Sequence, residues 1–336
     1  MIQVAAKGVV GFAIHPNVGS AERSEIIAAL PEAPRAAFID LAPTREVLEF
    51  IGQLEAVGVV VVAYYDHHLD PRRQAEVANA RKLERKLGKR AKIVTRREAP
   101  SCPCLIEVGE WEKIGANTVF FHADFDGFLG FLKGAGVVYP EIDNDADLLD
   151  GAGNGRRLSQ IGKLLADAHE HLVPAFSQDP AGHQRGKQRV YQTLADWIVG
   201  GLKPEAIQAF ADEVRRATAE AERLARELAW LAEPLPGRVV ICNFLSYIKT
   251  GKPIAIPVWK RELLRRFGPV LLCSIGTGHL GEQVYIELPR AWQDKVDLRD
   301  FLPEGISGRV PFRVQVPLDR WPEFLAKWQA AYPAGV

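Results

Sequence analysis

Apolar positions in the first two hundred residues gather into short unbroken runs, separated by stretches where they recur every three or four residues. The runs at 8–15 (GVVGFAIH), 35–40 (RAAFID), 57–66 (VGVVVVAYYD), 89–94 (KRAKIV) and 116–124 (ANTVFFHAD) read as strands. Several lack polar alternation, as strands covered by helices on both faces require. Between them, 45–58 and 72–88 carry helical periodicity and end at Gly58 and Gly88, the residue favoured just past a helix C-terminus. Strand–helix alternation of this kind predicts an α/β fold, a mostly parallel sheet with helices on both faces. From residue 158 the pattern turns helical, over 158–176, 190–202 and 203–232. The last stretch is long, amphipathic and charged on its outer face, and reads as a connector. Pro-Gly punctuation at 233–237 marks a boundary. New strands follow at 238–247, 269–276 and 282–288, then a strand–helix segment from 308. A smaller mixed α+β C-terminal domain is expected there. The expected division is 1–200, a connector at 201–236, and 237–336.

Composition narrows the function classes. With 336 residues, 47% of them hydrophobic, the chain can bury a sizeable core and has length for two domains. Lys plus Arg and Asp plus Glu are equal at 42 each, so a broad cationic surface for long nucleic acid is not expected. A short anionic ligand remains compatible. No leader-like N-terminus and no apolar run near the roughly 18 residues of a membrane span are visible. A cytoplasmic location without membrane contact is the expectation. Four cysteines, Cys102, Cys104, Cys242 and Cys273, are too scattered for a disulfide framework. Cys102 and Cys104 are one residue apart, closer than zinc or redox motifs use, and read as a buried loop pair.

Three strands end in chemistry. One stops at Asp40, one at Asp66-His67-His68, and one at His122, Asp124 and Asp126. In an open parallel sheet all strand C-termini meet on one edge, where ligands bind, so the three clusters should converge. A single aspartate there commonly caps the next helix. Carboxylates and imidazoles crowded together are costly unless cations sit among them. Oxygen and imidazole donors without thiolate favour manganese or magnesium, with iron or zinc also compatible. In Asp124-Phe125-Asp126-Gly127, alternate carboxylates can address two metals while Gly127 lets the backbone turn tightly. Two such ions about 3.5 to 4 Å apart clamp the attacking and leaving oxygens of a phosphoryl displacement.

The segments YYDHHLD (64–70), FIDLAP (38–43) and HADFDG (122–127) resemble the DHH phosphoesterase superfamily. That superfamily includes RecJ-type exonucleases, nano-RNA and cyclic-dinucleotide phosphodiesterases, and manganese inorganic pyrophosphatases. The resemblance implies that Asp124 and Asp126 each hold one of two divalent ions, probed first as manganese and then magnesium, and that Asp40 bridges them. Of the paired histidines, one binds metal and the other contacts phosphate. The assignment adopted puts His68 with the metal ligands alongside His122, and His67 at the substrate; Asp66, which orients or ligates, joins both histidines as catalytic.

Motif order departs from the superfamily, where the Asp-x-Asp motif comes first; circular permutation would reconcile the two. For the last metal aspartate, EIDNDADLLDG (141–151) offers Asp143, Asp145, Asp147 and Asp150, with Asp143 and Asp150 preferred, although such a stretch also reads as a solvated turn. His15, ending another apolar run, reads as a further ligand, a phosphate contact or a core histidine.

In the C-terminal region SIGTGHLGE (274–282) resembles the Gly-Gly-Gly-His segment of the DHH-associated domain, which implies substrate contacts at Gly276, Gly278 and His279, with Thr277 interrupting. His169 and His171 do not share a helix face, and Arg185, Lys187 and Arg189 read as a solvated helix start or as steering for an anion. The expected function is a two-metal phosphoesterase acting on short oligonucleotides, cyclic dinucleotides or nucleotides held between the two domains. A non-catalytic nucleotide sensor is the rival. The expected partner is a short phosphorylated or nucleotide substrate, with homodimer formation left open.

Overall fold

Alternating side chains on parallel strands put two aromatic layers against two sets of helices. The computed structural model describes residues 2–15, 20–151, 157–173, 180–200, 204–248, 254–278, 281–308 and 310–333. The chain divides into two compact units, Met1–His169 with Gln184–Asp212, and Glu170–His183 with Glu213–Val336.

The first unit carries β1 (Ile2–Ala6), β2 (Val9–Ile14), α1 (Ser20–Ala28), β3 (Arg35–Ile39), α2 (Arg45–Ala56), β4 (Val60–Asp66), α3 (Gln74–Leu87), β5 (Ala91–Ile93), α4 (Glu110–Ile114), β6 (Thr118–His122), α5 (Phe125–Gly134) and α6 (Ile142–Leu149). After α6 come α7 (Gln160–Leu172), α8 (Pro180–Ile198) and α9 (Pro204–Trp230), each of which runs across a boundary between the units. The strand order is β1-β2-β6-β3-β4-β5. Only β1 is antiparallel, in a hairpin with β2; the other five run parallel.

Phe12, Phe38, Tyr64 and Phe120 face α2 and its Val47, Phe50, Ile51 and Leu54 in one core. Their neighbours Tyr65 and Phe121 turn to the other face, against Trp111 of α4 and Phe131 of α5. Helix α2 forms because its apolar side chains recur at helical spacing behind a Thr44 N-cap that accepts from Val47 N–H. Helix α5 is buried from Asp126 to Gly134, its two charged side chains Asp126 and Lys133 included.

The second unit adds β7 (Glu233–Leu235), β8 (Val239–Asn243), α10 (Leu245–Ile248), α11 (Ile256–Phe267), β9 (Leu271–Gly278), β10 (Gly281–Glu287), β11 (Arg313–Pro317) and α12 (Trp321–Ala331). Its sheet runs β11-β10-β9-β8-β7, with β8 and β9 parallel and every other pair antiparallel. One face packs on Trp321, Phe324 and Trp328 of α12. The other packs on α11 and on Ala221, Ala225 and Leu228 of α9. The whole is the α/β architecture anticipated, a mostly parallel sheet plus a second, mixed sheet. Among the described residues, no helix is long and apolar enough to cross a membrane.

Candidate metal centre

The five parallel strands deliver their C-termini to one edge of the first sheet. In spatial order that edge carries His15 after β2, His122 and Asp124 at β6, Asp40 after β3, Asp66 to His68 at β4, and Arg96 beyond β5. The chain steps from β3 to β4 to β5 and then returns to lay β6 on the opposite side of β3. Adjacent strands whose connections leave in opposite directions open a crevice at their C-terminal ends. Asp40 and His122 stand on its two sides. Asp40 turns sharply off β3 with a φ of +58°, a left-handed conformation that aspartate tolerates better than most side chains. Its N–H donates to the Tyr65 carbonyl at 2.8 Å, which fixes the turn.

His67 is fully buried at the centre. Its Nδ1 lies 3.0 Å from the Ala99 carbonyl, and its Nε2 lies 3.2 Å from Asp40 Oδ1, 3.2 Å from Asp126 Oδ2 and 3.9 Å from Asp150 Oδ2. On the other side of Asp40, His122 Nδ1 is 3.6 Å from Asp40 Oδ2 and 2.5 Å from Asp124 Oδ2. His68 stands apart. Its Nδ1 is 3.1 Å from Asp66 Oδ1 and 3.3 Å from Asp40 Oδ1, its backbone N–H donates to Asp66 Oδ2, and its Nε2 is 2.8 Å from Arg96 Nη2. Arg96 also reaches Asp150 Oδ1 at 3.0 Å. Three donor groups result: Asp40 with His67 and His68, Asp40 with His122 and Asp124, and His67 with Asp126 and Asp150.

Local structure holds these carboxylates in place. Asp124 caps α5, accepting from Gly127 N–H at 3.2 Å, and its carbonyl accepts from the Tyr191 hydroxyl. A Cβ at Gly127 would lie 2.5 Å from the His122 carbonyl oxygen. Glycine is needed there for close backbone approach, rather than for the conformational freedom suggested by the sequence. Asp126, in the first turn of α5, accepts from Cys102 N–H at 3.1 Å. Asp150 sits at the C-terminal end of α6, so the acidic stretch is a helix and not a solvated turn.

Asp143 is not brought to the cluster; it pairs with Lys133 at 2.7 Å on the outer side of α6. Its carboxylate is met by an ammonium, which removes the reason to place a cation beside it. Asp145 is buried by Ser159 N–H and the Tyr139 hydroxyl, and Asp147 faces Ser101. Gly276 and Gly278 lie on β9, paired with Gln283 and Gly281 of β10; His279 lies outside the described residues.

Burial and mutual repulsion set the electrostatics. Burial first, then the charges of Asp124 and Asp126, push Asp40 well above the usual carboxylate range. Burial followed by the Asp126 charge lifts Asp150 to about 6. Burial acts to lower His67 and His122, but Asp126 for the first and Asp124 for the second outweigh it and raise both. For Asp124 burial works upward, and the His122 hydrogen bond and charge override it to leave a net depression. His15, its ring 5.9 Å from that of His122, is lowered by burial and then by the His122 and Lys187 charges.

No family model matches the chain, and no curated protein matches it. Among solved structures it is similar to a pGpG-specific phosphodiesterase, PggH, from Vibrio cholerae, at 12% identity and a TM-score of 0.42, over 90% of this chain and 100% of that one. The chemistry inferred for the site therefore stands on its own side chains.

Those side chains fit divalent cations. Both Asp40 oxygens, His67 Nε2 and His122 Nδ1 are buried without a hydrogen-bond partner, although they approach one another closely. With Nδ1–H donated to Ala99, a neutral His67 turns an Nε2 lone pair toward two carboxylate oxygens, an arrangement that repels unless a proton or cation lies between. A carbonyl behind the far ring nitrogen is also the usual support for a metal-binding histidine. Two residues near the centre were not singled out in the sequence as site residues. Arg96 follows a weak three-residue strand, and only its position on the sheet edge, third beyond Ile93, could have drawn attention to it. Lys187, read with the basic run, donates to the Ala123 carbonyl at 2.6 Å, at the flank of Asp124.

Proposed function

We propose that this chain is a two-metal phosphoesterase that hydrolyses phosphodiester or phosphomonoester bonds of short oligonucleotides, cyclic dinucleotides or nucleotides. The observation that carries this reading is Asp40, whose buried oxygens face different imidazoles, Oδ1 toward His67 and Oδ2 toward His122, with neither oxygen hydrogen-bonded. One carboxylate placed in this way suits a bridge between two ions. Asp124 and His122 would complete one site, and His67, Asp126 and Asp150 the other. When bound, a pair of divalent ions supplies charge stabilisation to the attacking and leaving oxygens of an in-line displacement at phosphorus and makes water a better nucleophile at neutral pH.

The remaining roles belong to the chain. His67 serves the metal rather than the substrate, because its Nδ1 is committed to Ala99 and its Nε2 is enclosed by carboxylates. His68 has its Nδ1 proton held by Asp66, and its Nε2, on the accessible side of a ring 24% exposed, accepts from Arg96 Nη2, so that the two side chains together would face an incoming phosphate. Asp66 is a positioning residue, bonded to His68 through both of its oxygens. The sensor reading drew its force from an unidentified last carboxylate, and Asp150 at 3.9 Å from His67 Nε2 favours the enzyme instead.

The test is Asp40→Asn, which keeps the side-chain size and the tolerance for positive φ while removing the bridging charge. With manganese, against linear and cyclic dinucleotides, mononucleotides and pyrophosphate, the wild type turns over at least one of these. The variant loses on the order of a thousandfold in rate while remaining folded. Turnover by the variant at the wild-type rate would overturn the assignment.

A further inference from the structure

A single cation from the loop after β5 enters the carboxylate cluster. Arg96 Nη2 lies 2.8 Å from His68 Nε2 and 3.0 Å from Asp150 Oδ1, so its two protons serve an imidazole and a carboxylate on different elements. Nη1 and Nε have no protein acceptor among the described residues, and the side chain is 52% exposed. The loop itself is anchored. Thr95 donates its N–H and its hydroxyl to Glu98 Oε2, both at 2.8 Å, and Val94 N–H donates to the Asp66 carbonyl at 2.9 Å.

Charge explains why a guanidinium belongs here. The carboxylates of Asp40, Asp66, Asp124, Asp126 and Asp150 leave a negative residue even after two divalent ions bind, and a phosphate anion approaching that field is repelled. Arg96 cancels the residue on the solvent side. In the metal-free protein it also neutralises Asp150 from Oδ1, while Oδ2 faces His67, so a cation at His67, Asp126 and Asp150 would meet a second positive charge on the same carboxylate. We infer that Arg96 competes with a metal ion for Asp150 and, when that ion takes the carboxylate, aims its free N–H fork at a non-bridging phosphate oxygen while staying anchored on His68. It is thereby a specificity residue for the phosphate ester, and this assignment rests on the two-metal reading above. A guanidinium fork matches two phosphate oxygens in a way an ammonium cannot.

The experiment titrates manganese into the chelator-stripped full chain by calorimetry and measures steady-state hydrolysis of bis(p-nitrophenyl) phosphate. In Arg96→Gln, manganese binds about three- to tenfold tighter at the weaker site, because a competing cation is gone, while KM rises about tenfold with kcat within about threefold. Arg96→Lys keeps wild-type manganese affinity but shares the KM defect, which separates charge from fork geometry. A role confined to holding the loop would weaken manganese binding and lower kcat in both variants, and that result overturns the inference. So does an Arg96→Gln protein indistinguishable from wild type. If the wild-type chain itself takes up no manganese, it is the two-metal reading that fails.

Discussion

Both units sandwich a sheet between helices, yet they treat buried polarity in opposite ways. In the second unit the two faces of the sheet are filled by Val239, Leu271, Val284, Ile286 and Val316 on one side and Val240 and Leu272 on the other, against tryptophans and aliphatic side chains. Its ion pairs, such as Lys260 with Glu287 and Glu287 with Arg313, stay partly exposed. Among the described residues, that unit buries the polar side chains His171 and Gln283 but no carboxylate. The first unit has an equally dry core between its helices, but at the C-terminal edge of its sheet it buries Asp40, Asp66, His67 and Asp126 side by side. Unpaired buried charge costs several kcal/mol per group. A fold selected for stability alone would remove it, so the difference marks the first edge as the place where stability was traded for chemistry.

Three changes sharpen this contrast. The largest effect is expected in the apolar unit. Trp328 is fully buried, lies 4.7 Å from Tyr332 and 5.3 Å from Phe301 between ring centroids, and donates its indole N–H to the Gly237 carbonyl. Trp328→Ala should cost about 3–5 kcal/mol in denaturant unfolding and leave the manganese stoichiometry of the folded protein unchanged. A cost near zero, or a lost metal ion, would erase the distinction between the units.

The second change is smaller in energy and opposite in kind. Gly127→Ala drives a carbon to 2.5 Å from the His122 carbonyl oxygen, so the β6–α5 turn must open and carry His122 and Asp124 with it. A loss of about 1–3 kcal/mol is expected, together with weaker manganese binding measured by calorimetry. The neighbouring Gly130→Ala supplies the comparison, since its Cβ would meet only side-chain carbons, at 3.1 Å from Ile106 and 3.3 Å from Ile39, which can yield. Equal metal affinity in the two variants would show that the turn does not position the donors.

Much of this contrast was legible in the sequence, and the rest was hidden for identifiable reasons. The strands ending at Asp40, Asp66 and His122 could be read because unbroken β-branched and aromatic runs have few other uses, and the shared sheet edge follows from parallel topology. Helix α5 was legible only as the helix entered at Gly127, without its extent, and α6 escaped because Asp143, Asp145 and Asp147 look like a turn until Lys133, Ser159 and Ser101 are found beside them. The different surroundings of His67 and His68 were not legible, since they depend on the Ala99 carbonyl and the Arg96 guanidinium, more than twenty-five residues away in each case. Helix α11, with Pro257 near its start and Gly268 just past its end, carried ordinary helix signals, masked by the apolar runs on either side.

The smallest effect tests whether the buried charges are tolerated only for the sake of cations. An aspartate in an unfolded chain titrates near 3.9, whereas burial and the Asp126 charge hold Asp150 at about 6 in the metal-free protein. Between these values the native state carries a proton that the unfolded state has lost, so stability falls as pH rises from about 4 to about 6 and this contribution is flat beyond. Asp40, also raised, acts with the same sign. The raised His67 and His122 extend the decline above about 6.5, where each loses a proton that the folded protein favours. The depressed Asp124 opposes it only at the acid end, where its stabilisation is lost as pH falls below about 4.

The metal-free chain should therefore lose about 1–2 kcal/mol of unfolding free energy between pH 4.5 and 6.5 through this cluster. Saturating manganese holds the same carboxylates ionised and reverses the slope, because protons then compete with the metal. Melting curves with chelator and with manganese across that range measure both slopes. Parallel curves would mean that the cluster at the sheet edge exchanges no protons for cations, and that its buried aspartates need some other explanation.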